Sequence, residues 1–288
     1  MCMSSDNENL QYNSCVSKGI CSVNPRTSAL QNVLWLYLHM CSKYCLKLSE
    51  KKDISDDIRI FILNTVTFSV SNPEFTENCF MAIISKLRTI LPSIINDYNN
   101  LFDKNDFVEE NILESKIFHK CENIVEAIKF GEYIHRNFIS NVPFETRNLY
   151  KILMIIAKSI SINLLDLESF GIKNNETFLQ LLKLINSINI GESEFEKLKN
   201  TIYIGAECNT KLMDKLHEEQ EQQYGKQKIS EISYTTIPSK AVLVVGSNIK
   251  ELENVLNALK NTDINVYTHD DMMVAHTFPK FGEYKNLK

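Results

Sequence analysis

The sequence contains few of the residues that turn or break a chain. Only 8 glycines and 6 prolines occur in 288 residues, where average usage would supply roughly two to three times as many. A β-sandwich needs a turn roughly every ten residues, and such turns draw heavily on these two residue types. The scarcity therefore excludes a turn-rich all-β fold and favours long helices.

An excess of basic residues and a long apolar run are also missing. The 31 Lys and Arg and 36 Asp and Glu give a formal charge of −5, so binding to nucleic acid or anionic lipid has no electrostatic support. Apolar runs such as 152–156 and 241–245 stop short of the roughly 18 residues that a membrane span needs. The N-terminus lacks the basic and apolar regions of a signal peptide. We therefore expect a cytoplasmic protein without a membrane anchor.

Most of the chain carries the apolar period of helices. The composition, 44% hydrophobic and 23% charged, is that of a globular protein, and the length allows two domains. The period is clear from Leu30 to Leu48 and returns several times before residue 224. Residues 53–70 are rich in β-branched side chains, yet we predict helix because a lone strand among helices would leave its backbone unpaired. Asn72, Pro73 and Glu74 predict the start of another helix.

A different pattern follows the polar residues 214–223. Residues 241–245 form a continuous apolar run, as in a strand covered on both faces. An amphipathic helix at 252–259 and a short strand at 264–267 complete a β-α-β unit with parallel strands. Few residues remain for further strands, so we expect this unit to dock on another structure or to belong to a longer chain.

The predicted fold class is α plus α/β, with N-terminal all-α helical bundles followed by the start of a Rossmann-like parallel domain. The predicted divisions are a cysteine-containing loop at 1–25, a helical-bundle domain at 26–228 and an incomplete β-α-β domain at 239–288. The polar stretch that leads to Gly225 marks the boundary between the two larger parts.

Eight cysteines without a secretion signal indicate metal binding or plain burial and not a disulfide framework. Cys2, Cys15 and Cys21 lie in a polar stretch that could fold around an iron–sulfur cluster, or they are unligated loop thiols. Cys41 and Cys45 lie one turn apart on an apolar helix face, which is typical of small core residues.

The ends of the two predicted strands are the other candidate site. Ligands of open α/β sheets collect beyond the carboxyl ends of the strands, and here both loops should leave the same edge. His269, Asp271 and His276 are candidate metal ligands there, although an Asp at a strand end is equally a helix cap and a lone His equally a surface residue.

Four stretches of the sequence resemble the hybrid-cluster proteins, also called prismane proteins or hydroxylamine reductases. They are Cys15–Cys21 with the following Asn24-Pro25-Arg26, the strand–glycine–helix segment 241–256, Ile264–His269 and Met272–Pro279. The likeness covers the family's helical first domain and the opening of its second, and is strongest after Lys240.

The resemblance implies two iron–sulfur centres, and this sequence departs from the family at both. Cys2, Cys15 and Cys21 match three ligands of a cubane 4Fe-4S cluster, but Ser5 stands at the fourth position. At the hybrid iron–sulfur–oxygen cluster, Ser247 matches a family histidine and Asp271 a family glutamate. The remaining ligands of that cluster match no residue of this sequence.

These matches predict a truncated hydroxylamine reductase-like oxidoreductase that holds at most the N-terminal cluster and lacks a functional hybrid cluster. A noncatalytic helical interaction module, pairing through its unfinished sheet edge, is the alternative. A third interpretation is an enzyme assembled from split chains. The expected partners are another protein or the missing C-terminal domains, with neither nucleic acid nor a membrane.

Overall fold

The computed structural model describes residues 24–70, 76–102, 121–188, 194–233 and 235–288. The predicted loop at 1–25, with Cys2, Ser5, Cys15 and Cys21, lies almost wholly outside these ranges. The described helices are α1 (Pro25–Leu48), α2 (Asp56–Ser69), α3 (Glu77–Leu101), α4 (Ile124–Ile134), α5 (Phe144–Ser169), α6 (Asn175–Ser187), α7 (Phe195–Tyr224) and α8 (Ile249–Leu259). The strands are β1 (Lys240–Val245) and β2 (Ile264–His269). This architecture confirms the predicted fold class.

Helix α1 is the central element of the helical part. Its start is fixed by Asn24, whose side chain accepts a hydrogen bond from the Thr27 amide at 2.9 Å, and by Pro25 at the first helical position. The predicted apolar stripe is buried, and so are Trp35 and Met40 outside it. A helix that is apolar on all sides needs neighbours on all sides, and α1 contacts α2, α3, α4 and α6.

Close packing between α1 and α4 depends on a glycine. A Cβ placed on Gly131 of α4 would meet the backbone carbonyl of Ala29 in α1. The two backbones therefore approach within a distance that no other residue permits.

The helix predicted within 53–70 is confirmed as α2. The predicted start at Asn72 and Pro73 lies outside the described residues, and the next described helix, α3, begins at Glu77 after Thr76. Among the described residues, α3 is the one helix long and apolar enough to cross a membrane by length and composition. Phe80, Ile84 and Leu87 of α3 are buried within the chain, and 28% of its most apolar 18-residue window is buried.

The β-α-β unit has the predicted parallel pairing. β1 lies beside β2 with Lys240 opposite Ile264 and Val245 opposite His269. Helix α8 covers one face of this pair, where a core forms from Leu252 and Leu256 of the helix, Val266 of β2 and further residues (Tyr224, Ile249, Met272, Ala275, Phe278 and Phe281).

The prediction that the first strand is covered on both faces is wrong for this chain. Val244 packs toward the core under α8, but Leu243 and Val245 are 62% and 59% exposed. Alternate side chains of a strand point to opposite faces, so one face of β1 is open. The apolar run correctly predicts a strand, but no described segment covers its second face.

The chain divides into two compact units. One comprises the residues up to Ile162 together with Asn174–Asn209, and the other comprises Asn163–Lys173 with Thr210–Lys288. The β-α-β unit belongs to the second of these. The domain limits at 26–228 and 239–288 stay predictions.

Candidate functional site

The two loops that hold Ser247 and Asp271 leave the same edge of the sheet. Because β1 and β2 run parallel and Val245 pairs with His269, Ser247 and Asp271 each follow the last paired residue of their strand by two positions. Both residues are exposed. The expected juxtaposition of the two strand ends is therefore confirmed, and their side chains are open to solvent.

The loop after β1 is held in place by Asn248. Its side-chain oxygen accepts a hydrogen bond from the Glu251 amide at 3.0 Å and so caps α8. Its amide nitrogen donates to Oδ1 of Asp166, in α5, at 2.7 Å. Burial raises the pKa of Asp166 to about 6, with the nearby Glu251 adding to the effect and the Asn248 hydrogen bond opposing it. One side chain thus fixes both the helix start and the loop that carries Ser247.

The loop after β2 turns sharply at Asp270. This residue has φ of 61°, in the left-handed region that asparagine and aspartate tolerate better than most residues. A 3-10 segment, Asp270–Thr277, begins there. The turn places Asp271 at the surface immediately beyond the strand.

The histidines of this segment belong to no group of three candidate metal ligands among the residues that the structure describes. Nε2 of His276 lies 2.9 Å from the Thr268 hydroxyl, and burial lowers the pKa of His276 because it disfavours the charged ring. His269 is exposed at the end of β2. Across the described ranges, no three His, Cys, Asp or Glu side chains come close enough to hold a metal ion.

Sequence reasoning missed a buried charged group in the same unit. Oε2 of Glu253 accepts hydrogen bonds from Nζ of Lys250 at 2.7 Å and from the Tyr224 hydroxyl at 3.2 Å, and Oε1 faces Nζ of Lys280 at 2.7 Å. Burial alone would raise the pKa of Glu253, but the two lysines outweigh it and lower the pKa. The group joins α7, α8 and the segment after β2. The spacing of Lys250 and Glu253 was the available sequence signal.

The described cysteines are of two kinds. Cys41, Cys45 and Cys121 are fully buried. Burial raises the pKa of Cys41 well above its usual value and brings those of Cys45 and Cys121 to about 12. Because the thiolate is the form that binds metals, these three are core residues, as predicted for Cys41 and Cys45. Cys79 is exposed and Cys208 half-buried.

A cavity of about 530 Å³ lies in the helical unit. Three lysines (Lys43, Lys183 and Lys197) and one acid, Glu194, line it beside apolar residues such as Leu198. It contains none of the side chains that the sequence marked as ligands of a cluster. The candidate site therefore remains the pair of strand ends in the second unit.

Comparisons with known proteins place these features in one family. A family model described as the Prismane/CO dehydrogenase family matches residues 2–288. The hydroxylamine reductase of Petrotoga mobilis is 22% identical over 282 residues, which cover 97% of this chain and 52% of that protein. The hydroxylamine reductase of Methanococcus vannielii is 25% identical over 288 residues, covering 97% of this chain and 50% of that protein.

The chain spans about half the length of the curated relatives it matches, and that half is their N-terminal part. The resemblance derived from the cysteine loop and the strand ends is confirmed. The chain belongs to the Prismane/CO dehydrogenase family.

Proposed function

We propose that the chain is a hydroxylamine reductase-like iron–sulfur protein that binds a 4Fe-4S cluster through its N-terminal cysteines and forms no functional hybrid cluster by itself. The absence of a functional hybrid cluster is inferred from the residues at the two strand ends. Ser247 and Asp271 each lie two positions beyond the paired strand ends Val245 and His269, and the family resemblance implies a histidine and a glutamate at these two positions.

The side chains at this edge do not fit the hybrid cluster. A serine hydroxyl is a hard and weak donor compared with imidazole, which suits iron. Aspartate retains a carboxylate but is one methylene shorter than glutamate, so its oxygens reach less far from the strand. With both positions altered, and with no third ligand among the described residues, a site for this cluster is lacking in the part of the chain that the structure describes.

The N-terminal thiols suit a simpler centre. Cys2, Cys15 and Cys21 supply three of the four thiolates that a cubane cluster uses. Ser5 would supply an oxygen at the fourth position, and an oxygen ligand leaves that iron less firmly held than a thiolate does. We therefore expect a labile cluster that loses iron in air, in a protein of the reducing cytoplasm, where thiols stay available as ligands.

Anaerobic purification followed by iron and sulfide analysis tests the cluster. The unaltered chain should contain iron and sulfide, Cys21→Ala should lose most of both, and Ser5→Cys should slow the loss of iron in air. Cys79→Ser, which removes an exposed thiol outside the loop, is the matched control and should retain the full content. A cluster-free protein after anaerobic reconstitution would contradict the proposal.

The hybrid-cluster part is tested by turnover. The purified chain should not reduce hydroxylamine with a chemical electron donor, and Ser247→His with Asp271→Glu should not restore the reaction, because the other ligands are still missing. Reduction of hydroxylamine by the unaltered chain alone would overturn this part and leave the N-terminal cluster unaffected.

A further inference from the structure

The cavity of the helical unit is bounded by regular helix faces. In α7 the lining residues recur every three or four positions, at 197, 201, 205 and 208, and α1 contributes His39 and Lys43, four positions apart. Residues at this spacing share one face of a helix. All the described lining residues belong to the same compact unit. Its volume of about 530 Å³ is in the range of pockets that hold small organic molecules.

The buried part of the lining is largely apolar. Ile160 of α5, Leu184 of α6 and Leu198 of α7 line the cavity and are at most 2% exposed. Ile204 of α7 also lines it and is 48% exposed. Covering these side chains with an apolar group would remove their surface from water, which is favourable. The cavity therefore suits a ligand with an apolar part.

The more exposed part of the lining carries positive charge. Lys183 of α6 and Lys197 of α7 are exposed there, and Lys43 of α1 is half-buried. Among the described lining residues, three lysines stand against one glutamate, Glu194, which leaves an excess of two positive charges. The chain as a whole has a net charge of −5. The charge of the cavity is thus opposite in sign to that of the chain, and it favours an anion.

The ammonium groups of Lys183 and Lys197 are available to a ligand. Neither forms a salt bridge with a carboxylate that the structure describes, Glu194 included. Lys199 lies two positions after Lys197 and outside the cavity, and its ammonium group pairs with Glu196 at 3.8 Å. The lysines on the cavity side of these helices therefore retain a charge that a bound anion would neutralise.

We propose that this cavity binds a small organic anion, a carboxylate or a phosphate monoester with an apolar body. The apolar body packs on Leu184, Leu198 and Ile204, and the anionic group is bound by Lys183 and Lys197. Lysine acts as a flexible point charge, so it accommodates either kind of anion. The proposal goes beyond the proposed function and does not depend on the iron–sulfur cluster, because none of the predicted cluster ligands lines the cavity.

Isothermal titration calorimetry of the full chain tests the binding with ligands of matched shape. 3-Phenylpropionate should bind with a Kd of about 1 mM or less, as expected for its size. Its neutral amide, 3-phenylpropionamide, should bind at least about fivefold more weakly because it lacks the charge. Phenyl phosphate distinguishes the two anion classes, since the natural class is the one whose representative binds more tightly. The proposal would be overturned if neither anion bound, if the amide bound as tightly as the carboxylate, or if inorganic phosphate bound as tightly as phenyl phosphate.

Substitutions of the lysines locate the anionic group. Lys183→Gln combined with Lys197→Gln should weaken binding of 3-phenylpropionate at least about fivefold and leave 3-phenylpropionamide unchanged. Both lysines are exposed, so the variant should fold, which thermal unfolding checks. Lys199→Gln is the matched control on the outer side of α7 and should bind like the unaltered chain. An affinity insensitive to the double substitution, or lowered equally by Lys199→Gln, would show that the anion binds elsewhere.

A substitution of the apolar lining locates the body of the ligand. Ile204→Ser should weaken binding of 3-phenylpropionate and of its amide alike, because it removes apolar contact and no charge. Tyr203→Ser, at the adjacent exposed position outside the cavity, is the control and should leave both affinities unchanged. Equal effects of the two substitutions would contradict the proposed placement.

Discussion

Helix α1 and strand β1 are both strongly apolar, yet α1 is buried and β1 is largely exposed. α1 is surrounded by α2, α3, α4 and α6, and its side chains are buried nearly all the way round. Within the described part of the chain, β1 has one neighbouring strand and one covering helix, and Leu243 and Val245 on its second face are exposed. The helices around α1 thus enclose it on all sides. The sheet of the β-α-β unit is covered on one face by α8, and its other face is exposed among the described residues.

The largest expected effect follows from the completed core. Leu34 in α1 is fully buried, so Leu34→Ala should lower the free energy of unfolding by about 2–5 kcal/mol through lost burial and the cavity left behind. Urea denaturation followed by circular dichroism measures it. Leu34→Met, of similar volume, should cost less than about 1.5 kcal/mol. A loss for Leu34→Ala no greater than for Leu34→Met would mean that α1 is not tightly enclosed.

The approach of α4 to α1 gives the next effect. Gly131→Ala would place a methyl group against the Ala29 carbonyl, and relief requires a backbone shift, so we expect about 1–3 kcal/mol of destabilisation. Gly282→Ala, where an added Cβ meets nothing within 4 Å, is the control and should be near neutral. Equal stability of the two variants in thermal unfolding would contradict the close approach.

The sequence predicted what is local and periodic. The helical spacing of apolar residues located α1, and the apolar run after Lys240 located β1. The order strand, helix, strand predicted parallel pairing, which places the loops that hold Ser247 and Asp271 at one edge of the sheet. The hydrogen bond between Asn248 and Asp166 joins residues 82 positions apart, and no pattern marks it. The small number of residues after β2 already predicted an incomplete sheet, but the continuous apolar run of β1 could not show which of its two faces is exposed, because both faces carry apolar side chains.

Asp166, which accepts a hydrogen bond from Asn248 in the loop after β1, should make the stability of the chain depend on pH. The pKa of Asp166 is raised to about 6 from an ordinary value of 3.8. The folded chain therefore holds this proton more tightly than the unfolded chain. The resulting stability is complete below about pH 4 and is lost as the pH rises toward 6.

Asp166→Asn isolates that dependence. The variant keeps an oxygen that accepts the hydrogen bond from Asn248 and removes the charge, so stability at pH 7 should rise by up to about 3 kcal/mol. Its stability should also lose the decline between pH 4 and 6. Asp214→Asn, at an exposed position of α7, should leave the decline intact. Denaturation at several pH values measures both, and an unchanged slope in Asp166→Asn would refute the assignment.

The smallest expected effect is the sharpest test of the comparison. Leu243 is 62% exposed, with Tyr267 of β2 beside it, so Leu243→Ala should change the free energy of unfolding by less than about 0.5 kcal/mol. Leu252→Ala, the same substitution on the covered side of the same unit, should cost about 2–5 kcal/mol. Denaturation of both variants without any partner gives the ratio. If Leu243→Ala were as costly as Leu252→Ala, the chain itself would cover β1, and the contrast with α1 would disappear. If only Leu252→Ala is costly, the apolar side chain of Leu243 contributes little to the stability of this chain, and the second unit is stabilised by the core beneath α8.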